Sequence, residues 1–188
     1  MRRLLPDPGP TSVEEQLAPY RPGENAPADR PFVAMNFAAT VDGRAAIGGV
    51  SGPIGSETDT AMLVGLRKRF DAVMIGAGTK RAEGYDRIEK PLISVESGPD
   101  GRVDLPALLR LRREQGVRSL LCEGGPTLHR SLQALGLIDE LFLTISPKLA
   151  GGSGPNLLSG ELPEEIGLEL AWLLEEEGEL FARYTVAR

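Results

Sequence analysis

Val117-Arg118-Ser119-Leu120-Leu121-Cys122-Glu123-Gly124-Gly125-Pro126-Thr127-Leu128-His129 reads as a short apolar strand that breaks on two glycines and turns into a helix. That helix runs to about Leu135, with Gly136 as its stop. A strand ending in two glycines puts bare backbone N–H groups at a helix N-terminus, a geometry that accepts a pyrophosphate, and Thr127 adds a hydroxyl donor. The same residues equally suit a tight turn in which Gly125 supplies φ > 0 and Pro126 starts the helix.

Working outward, the strand-then-helix pattern repeats. Phe32-Val33-Ala34-Met35-Asn36-Phe37-Ala38 is a buried-strand candidate closed by the turn signal Thr40-Val41-Asp42-Gly43-Arg44. Gly48, Gly49, Gly52, Pro53 and Gly55 form a loop with backbone open to close approach. Ser56 opens a helix with Glu57 and Asp59 in its first turn, and Arg67, Lys68 and Arg69 close it, both signs matching the helix dipole. Asp71-Ala72-Val73-Met74-Ile75 is the next strand and stops at the loop Gly76-Ala77-Gly78-Thr79.

Pro91-Leu92-Ile93-Ser94-Val95 is a further strand, followed by the turn residues Gly98, Pro99, Asp100 and Gly101. Asp104 caps a helix in which Leu105, Leu108, Leu109 and Leu111 face the core until Gly116. After a strand at 141–145, β-like runs at 168–174 and 180–186 bracket Glu175-Glu176-Glu177-Gly178-Glu179, a hairpin signal. The pattern predicts an α/β fold: a mixed, mostly parallel sheet with helices on both faces and a C-terminal antiparallel hairpin.

Residues 1–30 carry Pro6, Pro8, Pro10, Pro19, Pro22 and Pro27, which predict an extended arm ahead of a single domain at 31–188. Leu4, Leu5, Val13, Leu17 and Tyr20 are poor residues for a free tail, so the arm is expected to pack on the body or on a partner subunit.

Bulk properties narrow the function. At 188 residues and 41% hydrophobic content the chain can build one core. Its net charge of -6 argues against nucleic acid, although a local basic site can still hold a small phosphate. With Cys122 the only cysteine and His129 the only histidine, an intrachain disulfide and a Cys/His zinc site are excluded, and a hydrolytic triad would need that one imidazole. Pro6 interrupts the N-terminus before any signal-type apolar run, and no stretch approaches the roughly 18 apolar residues of a membrane span. A cytoplasmic enzyme, with no membrane partner and no bound metal, is the expectation.

Gly76, Gly78 and Thr79 partly match a dinucleotide loop, but Arg81 stands where a Rossmann fingerprint has glycine. Thr79 could donate to a nucleotide, and Lys80 or Arg81 could meet a ribose 2′-phosphate, or simply form a solvated edge. Arg67 also serves as a helix C-terminal charge, Asp42 as an ordinary Asp-Gly turn, and Glu123 either caps the following helix or meets a substrate. Cys122 and His129 read as packing residues.

The ordered set of these motifs, with Gly136-Leu137-Ile138-Asp139-Glu140-Leu141 and Pro147-Lys148-Leu149-Ala150-Gly151-Gly152 closing it, resembles the riboflavin-biosynthesis pyrimidine reductase family, the reductase half of the bifunctional deaminase-reductase. The resemblance implies a dihydrofolate-reductase-like fold, a homodimer, NADPH as hydride donor and a phosphorylated ribosylaminopyrimidine substrate. It places Ala39, Pro53, Thr79, Glu83 and residues 125–131 against the cofactor, Gly125, Pro126, Thr127 and Leu128 among them, and Ser51, Arg67 and Glu123 against the substrate. To these the strand-end loops add Gly76, Gly78, Arg81 and Gly124 for the cofactor and Asp42 for the substrate, with Glu123 as candidate proton donor.

Two features depart from the family pattern: Pro53 lies where a tryptophan is often near, and the interval from Thr79 to Val117 is a few dozen residues short. Two rival readings follow. One is a same-fold reductase with another substrate, and the other is a nucleotide-binding module without turnover.

Overall fold

The computed structural model describes residues 1–83, 85, 88–96 and 103–187, with the side chain of Glu83 excepted. The turn read at Gly98, Pro99, Asp100 and Gly101 lies outside the described residues. Nine strands make one sheet: β1 (Arg2–Leu5), β2 (Gly9–Pro10), β3 (Phe32–Thr40), β4 (Ala72–Gly76), β5 (Leu92–Val95), β6 (Ser119–Cys122), β7 (Glu140–Ser146), β8 (Leu168–Glu176) and β9 (Glu179–Val186). The order across it is β2-β1-β8-β9-β7-β3-β6-β4-β5.

β3 is central because its residues are apolar on both faces. Val33 and Met35 join one core cluster, and Phe32 and Ala34 the other. The first cluster is covered by α4 (Leu105–Glu114) and α5 (Pro126–Ala134), the second by α1 (Val13–Leu17) and α2 (Glu57–Arg69). This is a three-layer arrangement with helices on both faces. Each fully buried leucine or phenylalanine, such as Leu66, Phe70, Leu109 and Leu132, contributes roughly 1.5–3 kcal/mol.

β7, β3, β6, β4 and β5 run parallel, whereas the β8–β9 hairpin, β1 and β2 pair antiparallel. The sheet is thus evenly mixed rather than mostly parallel, because the N-terminal segment adds two strands that its prolines had argued against. β1 pairs with β8, with Arg2 opposite Glu175. Leu17 and Tyr20 are buried, and the Tyr20 hydroxyl donates to Glu140 Oε2 at 2.7 Å. Arg183 completes that knot, with its guanidinium on Glu140 and 4.6 Å above the Tyr20 ring.

Two local expectations change. Gly76-Ala77-Gly78-Thr79 is not a loop: β4 passes directly into α3 (Ala77–Glu83), where Ala77, Lys80, Arg81 and Ala82 favour helix over the loop that the glycines suggested. Leu111 is 47% exposed, because it lies on the opposite side of α4 from Leu105 and Leu109. Among the described residues no helix is long and apolar enough to cross a membrane.

Candidate active site

β3, β4, β5 and β6 end on one edge of the sheet, and there a cleft of about 1210 Å³ opens. Parallel strand ends and the helix starts beside them offer unpaired backbone groups, which is why ligands of open α/β sheets bind at this edge. Asn36, Phe37 and Ala38 of β3 line the base. Asp59, Thr60, Leu63 and Arg67 of α2 make one wall, and α3 with the start of α5 makes the other.

Arg67 and Glu123 meet across this space. The guanidinium donates from Nε to Oε1 at 2.7 Å and from Nη2 to Oε2 at 2.6 Å, a two-pronged pair. Glu123 is 3% exposed and Arg67 24%, and the carboxylate holds the arginine above its usual pKa. Tyr85 stands over the guanidinium, 5.6 Å from ring centroid to Cζ. Held in this way, Glu123 has both carboxylate oxygens engaged by the Arg67 guanidinium.

The double glycine allows close approach. A Cβ on Gly125 would lie 2.9 Å from Thr79 Oγ1, and one on Gly124 would lie 3.0 Å from the Phe37 ring. The positive φ of this turn is at Gly124 (101°), not at Gly125, and the Gly124 carbonyl accepts from the Gly76 N–H at 2.7 Å. Gly125 is the N-cap of α5 and carries no side-chain cap, so the first-turn N–H groups of Thr127 and Leu128 are free of intrahelical partners. Any side chain on Gly125 would begin to fill this cradle of backbone N–H groups.

Ser51, Gly76, Gly78, Thr79, Arg81, Pro126, Thr127 and Leu128 all line the cleft with Arg67, Glu123 and Gly125. Gly124 serves behind it. Ala39 is buried in β3, and Pro53 lies outside the lining, its carbonyl accepting from Lys148 Nζ at 2.8 Å. The Glu83 side chain lies outside the described residues.

Asp42 is not in the cleft wall. It accepts from Thr40 Oγ1 at 2.5 Å, Ala150 N–H at 3.1 Å and Gly151 N–H at 2.7 Å, and these bonds hold its carboxyl down at about 2. It ties the turn after β3 to the loop at 148–151, which is the plain turn role with a longer reach.

Sequence reasoning passed over Asn36, Ala38, Tyr85 and Asp59 as site residues. Asp59 had been assigned to the dipole of α2, yet it sits one and two turns before Leu63 and Arg67, a spacing that lays all three along one side of the helix. His129 is buried, stacks on Phe37 at 5.1 Å and donates from Nδ1 to the Leu157 carbonyl at 3.0 Å. Burial lowers its pKa to about 4 and pushes the Cys122 thiol up to about 12, so both are neutral packing groups.

Residues 31–92 and 83–176 match the model of the RibD C-terminal domain, which takes in well over half of the chain. The chain belongs to the RibD C-terminal domain family. The two matched stretches overlap at 83–92, inside the interval that is short against the family pattern. This RibD C-terminal domain is 29% identical over 213 residues to the 2,5-diamino-6-ribosylamino-4(3H)-pyrimidinone 5′-phosphate reductase of Methanothermobacter thermautotrophicus, covering 84% of this chain and 99% of that protein. It is 26% identical to the riboflavin biosynthesis protein RibD of Bacillus amyloliquefaciens over 70% of this chain and 50% of that protein, so it spans half the length of that relative.

Among solved structures, a pyrimidine reductase-like protein from Corynebacterium diphtheriae superposes with a TM-score of 0.77 at 22% identity, covering 95% of this chain and 100% of that one. Dihydrofolate reductase from Enterococcus faecalis superposes with a TM-score of 0.59 at 15% identity, covering 90% of this chain and 99% of that one. The fold is dihydrofolate-reductase-like.

Proposed function

We propose that the cleft reduces the ribosyl group of 2,5-diamino-6-ribosylamino-4(3H)-pyrimidinone 5′-phosphate to ribityl, with NADPH as reductant. The observation that carries this reading is that the Arg67–Glu123 pair shares one cleft with the uncapped N-terminus of α5. One side offers a held cation for a sugar phosphate, and the other a bed of N–H donors for dinucleotide phosphates.

Thr79, Gly125, Thr127 and Leu128 would hold the pyrophosphate. Of the two candidate cations for the ribose 2′-phosphate, Arg81 lines the cleft, whereas Lys80 lies 3.9 Å from Glu96. When bound, the dihydronicotinamide would supply a hydride to the imine carbon C1′ of the opened ribosyl group, with a proton taken up from water completing the amine. The chain's own contribution is positional: Arg67 anchors the 5′-phosphate, Glu123 keeps the guanidinium aimed, and Phe37, Leu63 and Leu128 exclude water from the reacting carbon.

The same reading makes 31–188 the reductase domain, with 1–30 an arm that completes its sheet, and makes the protein a cytoplasmic homodimer. Exposed Leu168 and Leu170 on β8, beyond the stretch that β1 covers, support a subunit contact. The test is NADPH consumption by purified protein with the phosphorylated diaminopyrimidinone, beside NADH and beside Arg67→Ala. Turnover that prefers NADPH and collapses in the variant supports the reading; NADPH binding with no turnover overturns it in favour of another substrate or a binding module.

A further inference from the structure

Helix α2 meets the cleft along one side, and a distant part of the chain presses on the other. Leu63 and Arg67 line the ligand space, while Met62 and Leu66 sink into the core. Gly65 and Arg69 each lie two residues on from the cleft-lining pair, and so about 200° round the axis. That outer side is covered by the N-terminal arm.

The cover is uneven. Between Val13 and Ala61, near the start of α2, the arm leaves a hollow of about 290 Å³. Further along, α1 closes on the helix at Gly65: a Cβ there would lie 2.7 Å from Leu17 Cδ1 and 3.5 Å from Val13 Cγ1. Gly65 sits inside a regular helix and has no positive φ, so this poor helix former provides room and not backbone freedom. Leu17 fills that room and is 1% exposed.

The arm is itself anchored to the sheet. β1 pairs with β8, and the Tyr20 hydroxyl bonds to Glu140 of β7. The Tyr20 ring lies 5.9 Å from that of Phe70, which ends α2, and Arg69 Nη2 donates to Glu14 Oε1 at 2.9 Å. A close-packed contact of this kind passes displacement on and does not absorb it.

We propose that Leu17 and Gly65 are positioning residues of the site: the arm, seated through Leu17 in the notch at Gly65, backs α2 and sets Arg67 where it meets a sugar phosphate. The ligand in this statement rests on the reductase reading above. Arg67 rides on α2, whereas Glu123 follows β6 in the sheet, so their two-pronged pair at 2.7 and 2.6 Å registers any shift of the helix. The NADPH cradle belongs to α3 and α5 and lies outside this lever.

The experiment is a double-mutant cycle in the full-length protein with Leu17→Ala, Gly65→Val and the two together, a pair of changes that nearly conserves volume. Read-outs are calorimetric Kd values for ribose 5-phosphate and for NADPH, and KM and kcat for the phosphorylated diaminopyrimidinone. Each single variant should raise the sugar-phosphate Kd and the substrate KM by about fivefold or more, with kcat and the NADPH Kd within about twofold. The double variant should return both to within about threefold of the wild type. Tyr20→Phe, which loosens the arm but keeps the α1–α2 contact, is the control for lost stability and should leave both unchanged. Leu17→Ala carries the test by itself if Gly65→Val does not fold.

Single variants that lose stability but keep the wild-type Kd and KM overturn the inference, and so does a Tyr20→Phe variant that raises KM as much as they do. Weakened ribose 5-phosphate binding in the single variants of a protein that turns over no pyrimidine overturns the reductase reading and leaves the inference standing. Wild-type protein that does not bind ribose 5-phosphate overturns the inference together with the role of Arg67.

Discussion

Glu123 shows how a single side chain changes meaning once its partner is known. By itself a strand-end carboxylate before a helix suggests a cap or a substrate contact; the structure sets both of its oxygens on Arg67. Replacing it with glutamine leaves Arg67 half-held, and because Glu123 is 3% exposed the loss should reach stability as well as rate. Glu123→Gln should lower kcat/KM by about 10- to 100-fold and unfolding free energy by about 1–3 kcal/mol, read from a urea titration.

Arg81 is tested through the cofactor. Arg81→Ala should raise the KM for NADPH by about tenfold or more and leave that for NADH little changed, which steady-state kinetics with both nucleotides will show. Gly125→Ala should weaken both nucleotides together, since its new methyl group meets Thr79 Oγ1 whichever dinucleotide is offered.

Helix α5 carries the cofactor cradle at one end and His129 in its buried face. The imidazole has a pKa of about 4 in the fold against 6.5 unexposed to it, so between those values the unfolded chain binds the extra proton. The resulting stability is fully present above pH 6.5 and is lost as pH falls towards 4, by up to roughly 3 kcal/mol. Unfolding free energies measured across that window should fall steeply in the wild type and more shallowly in His129→Gln.

The N-terminal segment is tied in by one buried hydroxyl at its inner end. Tyr20→Phe leaves Glu140, among the described residues, with its Arg183 partner and should cost about 1–2 kcal/mol in a denaturant titration without changing KM.

For the whole molecule, a cleft built from β3, α2, α3 and α5 couples ligand binding to the stability of both layers. NADPH at a hundred times its Kd should therefore stabilise the fold by about 2.7 kcal/mol, seen as a raised Tm, with a smaller rise for NADH at equal concentration.

The elements themselves were legible because their signals are local: β3 in an unbroken apolar run, α2 between Ser56 and its terminal cations, and the hairpin in the runs around Glu177 and Gly178. The strands at Arg2–Leu5 and Gly9–Pro10 were not, since their pairing energy comes from β8, some 170 residues away, and outweighs what nearby prolines forbid.

By itself the sequence determined the strand–helix alternation, the glycine turn at 124–125 and the identities of Arg67, Thr79 and Glu123 as residues of interest, all from spacing within a few turns of chain. Only the tertiary structure decided that Arg67 and Glu123, 56 positions apart, form one unit, that Asp42 is a loop tie, and that Asp59 faces the cleft. The physical reason is that a side chain's chemistry follows from its neighbours' charge and from its exclusion from water, and folding sets both by bringing distant segments together.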